Sequence, residues 1–330
     1  MKITFPGLVD LQVNGFAGVD FNSPACAGEP MTRALAAMRK TGVTRCLPTI
    51  ITSSTAHFSA CARAILQPPH AGIAGLHMEG PYISPLDGPR GAHPREHVGP
   101  ASIDDFRQRQ DAADGRIRLV TLAPEVPGAL ALIEYLVGQG ILVALGHTAA
   151  NAAQIADAVQ AGAKLSTHLG NGCAGQMHRH ENVLWPQLSA DELTASLIVD
   201  GHHLPREVVR SMIRAKGLAN VVLVTDAVTA AGAPAGRYRL GELTVERDAH
   251  GRVTQVGAGN LAGSALTLDD AIGRTARYCG LSLEQVLPMV STQPAALIGI
   301  EPAGRVEAEW DPVEHQLVVL NVSDDGSTDA

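Results

Sequence analysis

At 330 residues the chain is long enough to bury a large core and to form one α/β barrel or two average domains. Hydrophobic residues make up 45% and charged residues 18%, which excludes a disordered or collagen-like chain. The 25 basic and 33 acidic residues give a net charge of −8, so the basic face of a dedicated nucleic-acid binder is not expected. Cys26, Cys46, Cys61, Cys173 and Cys279 are odd in number, scattered and without a C-x-x-C pair. They read as reduced thiols of a cytoplasmic protein. The first residues lack the apolar centre of a signal peptide, and no apolar run approaches the roughly 20 residues of a membrane span.

Taken in chain order, short apolar runs alternate with helical patterns. Strands are predicted over 8–13, 43–50, 73–78, 117–122, 142–145, 164–167, 195–199 and 221–225. Helices are predicted over 31–40, 55–66, 127–139, 151–160 and 206–216, with Pro127 in a first turn and Asn151 as an N-cap. Gly42, Gly140, Gly162 and Gly217 stand where helices end. Eight strands mostly separated by helices favour a (β/α)₈ TIM-type barrel over an open doubly wound sheet. Two regions break the rhythm. The Pro/Gly/His-rich stretch 80–100 is too long for an ordinary connection. The stretch 238–256 alternates like a hairpin inserted in the barrel, with His250-Gly251 in its turn. The expected division is a catalytic barrel over 1–303, a small β element over 304–322 and a disordered tail over 323–330.

Active sites of such barrels gather at the C-terminal ends of the strands. That rule brings together Glu79 after the third strand, His147 after the fifth, His168 after the sixth and Asp226 after the eighth. A single histidine there is explained by a structural role with both ring nitrogens satisfied. Two histidines and a carboxylate at successive strand ends instead make the donor set of a catalytic zinc site, which keeps a fourth position open for water. Asp226 is then a spare carboxylate, able to shuttle a proton beside that water. His180-Glu-Asn-Val-Leu184 is not H-E-x-x-H, 257–264 is not a dinucleotide fingerprint, and no G-x-S-x-G elbow occurs.

Seven motifs, in order, carry a resemblance: Pro6-Gly-Leu-Val-Asp-Leu-Gln-Val-Asn-Gly15, Gly75-Leu-His-Met-Glu-Gly-Pro81, Gly146-His-Thr148, Thr167-His-Leu-Gly-Asn171, Asp200-Gly-His-His203, Leu223-Val-Thr-Asp-Ala227 and Leu261-Ala-Gly-Ser-Ala265. With them the chain resembles the N-acetylglucosamine-6-phosphate deacetylase family of the amidohydrolase superfamily. The resemblance implies hydrolysis of the N-acetyl group of an amino-sugar phosphate. It implies that Glu79, His147 and His168 hold a divalent metal, usually zinc, that Asp226 is the general base and then acid, and that His93 polarises the acetyl carbonyl. It also implies substrate contacts from Asn171, Gly172, His203 and Leu261, and a phosphate contact from Arg179 across a homodimer interface.

Three departures from the family pattern bear on these expectations. Gln12-Val-Asn14 replaces the superfamily's H-x-H on the first strand. Gln12 and Asn14 share one strand face, where they count among the substrate-contacting residues, and neutral amides hold a dication poorly. One metal per subunit is therefore expected. The stretch 170–182 has Gly170 in place of an aromatic and Arg179-His-Glu-Asn182 in place of Arg-Glu-Pro-Gly, which leaves open deacylation of a non-phosphorylated N-acyl sugar or amino acid. A catalytically silent sugar-phosphate-binding protein is the remaining alternative. Finally, the chain is expected to open directly on the first barrel strand, without the family's N-terminal β segment.

Overall fold

The structure, a computed structural model, describes residues 1–324. Eight parallel strands form one sheet in chain order: Leu8–Val13, Val43–Ile51, Leu76–Glu79, Ile117–Leu122, Leu142–Leu145, Leu165–Ser166, Thr194–Leu197 and Val221–Leu223. The last strand returns to the first. Val13 bridges Ala227 in parallel, and the Asp226 N–H donates to Gln12 O at 2.9 Å. Asp10, buried on the first strand, accepts from the Thr225 hydroxyl at 2.5 Å, tying the same seam by side chains. The sheet thus closes into a (β/α)₈ barrel. Every residue of the first, third, fifth and eighth strands is buried, as expected where helices cover the outer face and side chains fill the inner one.

Helices Glu29–Arg39, Thr55–Leu66, Ala129–Gly138, Ala152–Gln160 and Arg206–Lys216 pack outside, close to their predicted positions. Their starts follow local chemistry. Ser54 accepts from the His57 N–H, and Asn151 with Gln154 makes a reciprocal capping box. Ala129–Gly138 begins two residues later than Pro127 suggests. Gly128 holds φ +84°, and a Cβ there would lie 2.5 Å from Ala101 O, so the turn before the helix requires glycine.

Two small sheets flank the barrel. Gly236–Leu240, Leu243–Arg247 and Val253–Gln255 form an antiparallel sheet, so the alternating stretch makes three strands rather than a single hairpin. His250 and Gly251 do lie in its second turn, while the first turn falls at Gly241. The other sheet pairs Arg305–Asp311 with Gln316–Ser323 and, on the far edge, with Lys2–Pro6. This corrects the expectation that the chain opens directly on the first barrel strand. Lys2–Pro6 alternates weakly and reads as a bare terminus, yet five register pairs with Arg305–Asp311 make it an edge strand. Ser323 closes the last strand instead of opening a tail, and residues 325–330 lie outside the described residues.

His77, inside the third strand, illustrates how the barrel treats polar side chains. Its ring bonds Thr49 Oγ1 at 3.2 Å and Thr121 Oγ1 at 2.8 Å, and burial holds it down to about 4. The unfolded chain, with His77 near 6.5, takes up a proton first on acidification. Stability from this group is complete above pH 6.5 and is lost as pH falls toward 4, about 3 kcal/mol in all. Thermal melts at pH 7 and pH 4.5 should show a smaller acid drop for His77→Gln than for wild type. An equal drop would assign the loss to other groups.

Candidate active site

The site is built at the C-terminal mouth of the barrel, where chain direction forces the strand ends together. Glu79 ends the third strand, and His147, His168 and Asp226 each lie two or three residues beyond the end of a strand. These last three hold φ +50°, +29° and +48°, a left-handed backbone unusual for side chains of this kind. Such conformations persist where surrounding structure fixes them, and here all three residues line the mouth of the barrel. Glu79, His147 and His168 are all buried.

Three donor atoms converge. His147 Nε2 lies 3.2 Å from Glu79 Oε1, His168 Nε2 lies 3.1 Å from the same oxygen, and the two Nε2 atoms are 3.1 Å apart. His147 Nδ1 donates to Pro89 O at 3.0 Å, which fixes the tautomer with the Nε2 lone pair facing the cluster. Gly91 and Gly172 pack on this ring. A Cβ on Gly172 would come within 2.9 Å of His147 Nδ1, so the loop approaches only as glycine. Burial works to raise the Glu79 carboxyl, but the adjoining His147 and His168 rings outweigh it and hold the group well below the usual range. Two imidazole nitrogens and a carboxylate oxygen facing one point form a lone-pair-rich centre, and the donor set fits a divalent cation.

Around this cluster stand groups that can exchange protons. Asp226 is buried, and burial followed by the negative charge of Glu79 pushes its carboxyl up to about 8. Its Oδ1 accepts from Asn14 Nδ2 at 2.6 Å. Gln12 Nε2 donates to Glu79 Oε1 at 2.9 Å. The two amides of the first strand therefore each hold one carboxylate of the site. His93 stacks 4.2 Å from the His147 ring, and burial, then His147, keeps it neutral by lowering it well below 6.5. His93 Nδ1 bonds the Thr52 hydroxyl at 2.8 Å and faces the Thr52 N–H at 3.4 Å, so Nε2 is the nitrogen left to a ligand.

A cavity of about 580 Å³ opens over these residues. Asn14, Glu79, His93, His147, His168 and Asp226 line it together with Asn171, Gly172, His203 and Leu261. Gln12 reaches Glu79 from behind without lining the cavity. His203 is held by Asp200, whose Oδ2 meets its Nδ1 at 2.7 Å, so Nε2 is the nitrogen left to a ligand. Arg179 is exposed and stands apart from the cavity wall of its own chain. Among the described residues no lysine or arginine lines this cavity.

Sequence reasoning missed Thr52, Pro89 and Asp200. The Thr52 hydroxyl meets His93 from 41 residues away in the chain, and Pro89 acts through its carbonyl, which leaves no residue-type signature. Asp200 had one, since Asp and His three residues apart can pair across a turn.

A closed (β/α)₈ barrel with a Glu/His/His cluster and a separate carboxylate at its mouth has the make-up of a metal-dependent hydrolase. The comparison with known families agrees: the chain belongs to the amidohydrolase family, whose description matches residues 3–313. It is 35% identical over 308 residues to the N-acetylgalactosamine-6-phosphate deacetylase of Escherichia coli O157:H7, covering 91% of this chain and 79% of that one. It is 37% identical over 316 residues to the human N-acetylglucosamine-6-phosphate deacetylase, covering 91% and 75%. A mutant N-acetyl-D-glucosamine-6-phosphate deacetylase of Mycobacterium smegmatis, solved with N-acetyl-D-glucosamine-6-phosphate, superposes with a TM-score of 0.87 at 29% identity. That match covers 97% of this chain and 86% of the other. The enzyme class is thereby an amide-bond hydrolase. Among the described residues no helix is long and apolar enough to cross a membrane.

Proposed function

We propose that the enzyme removes the acetyl group from an N-acetylhexosamine 6-phosphate, N-acetylglucosamine-6-phosphate above all, giving the amino-sugar phosphate and acetate. The observation that carries this reading is that Asp226 and His93 line one cavity together with the Glu79/His147/His168 cluster. One divalent cation per subunit, zinc by the His/His/carboxylate donors, supplies Lewis-acid polarisation and acidifies water when bound. A single cation is supported by Gln12 and Asn14, whose amides are committed to the carboxylates of Glu79 and Asp226.

The chain's own groups supply the rest. With a cation offsetting the Glu79 charge that helps raise it, Asp226 is ionised. It takes the proton of the attacking water and returns it to the amide nitrogen as the C–N bond breaks, leaving amine and acetate. The neutral His93 offers its Nε2–H to the acetyl oxygen, where negative charge grows as water adds. Asn171 and the Gly172 backbone border the same space and face the sugar. Free cysteines throughout the described residues support a cytoplasmic setting.

His203 faces the phosphate, and Arg179 reaches it from a second copy in a homodimer, since Arg179 lies outside its own chain's cavity. Mixing Arg179→Ala subunits with Asp226→Asn subunits should then restore part of the activity each variant lacks. No recovery would place phosphate recognition within one chain. One observation favours a second reading, deacylation of a non-phosphorylated N-acyl sugar: no lysine or arginine lines the cavity. Acetate release from N-acetylhexosamines with and without the 6-phosphate separates the two, with preference for the phosphorylated sugar expected.

A further inference from the structure

Asn14 is 2% exposed and lines the active-site cavity beside Asp226. Its Nδ2 donates to Asp226 Oδ1 at 2.6 Å, which turns Oδ1 of the same amide away from the carboxylate. Among the described residues that Oδ1 has no hydrogen-bond partner. A buried acceptor left unpaired costs free energy comparable to a lost hydrogen bond, so it points to a ligand group that completes it. The side chain is not needed to place the strand. The Asn14 N–H donates to Ala227 O at 2.7 Å, and its carbonyl accepts from the Phe21 N–H at 2.9 Å.

We propose that Asn14 Oδ1 accepts the N–H of the amide being cleaved and so helps the site distinguish amides from esters. This rests on the deacetylase reading above. An N-acetyl nitrogen carries one hydrogen. When water has added to the carbonyl carbon and Asp226 has delivered its proton, the same nitrogen carries two. One faces Asp226 and the other Asn14 Oδ1, two acceptors held together by the 2.6 Å bond between their side chains. The C–N bond then breaks, its electron pair stays on nitrogen, and the amine leaves with acetate. The contact strengthens as nitrogen gains positive character, so it acts on turnover more than on binding. An ester oxygen offers no hydrogen to Asn14.

The test compares kcat/KM of wild type and Asn14→Ala on N-acetylglucosamine-6-phosphate and on its 2-O-acetyl ester counterpart. A hydrogen bond to a charge-bearing group predicts that the amide-to-ester ratio falls about tenfold to a hundredfold. Misplacing Asp226 also costs the amide more than the ester, because an amine leaves only once protonated, so the ratio is read in an Asp226→Asn background as well. Asn14→Ala should lower it there too, and an unchanged ratio in that background would overturn the proposal. Asn14→Ser, too short to reach the same point, should give the same fall and substitutes if Asn14→Ala does not fold. If wild type releases no acetate from any N-acetylhexosamine phosphate, the deacetylase reading fails and this inference with it. A wild type active on the amide with an unchanged variant ratio overturns this inference alone.

Discussion

Asp226→Asn is expected to lower kcat for deacetylation by a factor on the order of 10² to 10⁴, the usual worth of a positioned acid–base group. Folding and metal content should be unchanged, because the substituted side chain is isosteric and keeps an oxygen for Asn14 Nδ2. The cause is specific. An amine is a poor leaving group until nitrogen is protonated, and Asp226 is the carboxyl in the cavity free to carry that proton, since Glu79 is occupied by Gln12, His147 and His168. Pre-steady-state and steady-state acetate release on metal-loaded variant protein checks this. Near-full kcat would move the proton carrier elsewhere.

Removing the cation is expected to have an effect of similar size or larger. Chelation, or Glu79→Gln, should lower activity by more than about 10³-fold, several kcal/mol of transition-state stabilisation. Chelated wild type should recover on adding back zinc, whereas Glu79→Gln should not recover at stoichiometric zinc. Glu79 is the only anion of the donor set, and replacing its charge leaves two neutral imidazoles to hold a dication. A cation that binds the folded chain also stabilises it, so wild type should melt higher with zinc than without. Glu79→Gln should lose most of that increment. Full activity after exhaustive chelation, with no metal detected in the protein, would remove the cation from the account.

Much of this arrangement was legible in the sequence, for a reason that lies in the fold. In a (β/α)₈ barrel, a residue at the C-terminal end of a strand-forming apolar run belongs to the active face wherever it lies in the chain. Glu79, His147, His168 and Asp226 announce themselves by that position, and the structure brings the first three into contact around one point. What did not show was whatever depends on backbone atoms or distant pairing. Pro89 fixes the His147 tautomer through a carbonyl, and Thr52 holds His93 from 41 residues away through its hydroxyl and N–H. Lys2–Pro6 becomes a strand only because Arg305–Asp311, some 300 residues later, lies alongside it. Gln12 and Asn14 were placed on one face by period-two geometry, but that each holds a different carboxylate needed the closed barrel. Arg179 shows the opposite limit: the family resemblance implies a phosphate contact from it, and in its own chain it is exposed.

The most direct measurement is a metal titration read by product. Metal-free protein receives zinc in increments, and acetate release from N-acetylglucosamine-6-phosphate is followed at each addition. The account predicts that activity rises linearly and levels off at one equivalent per subunit, with glucosamine-6-phosphate formed in step with acetate. A plateau only at two equivalents, or metal bound without acetate released, would contradict it.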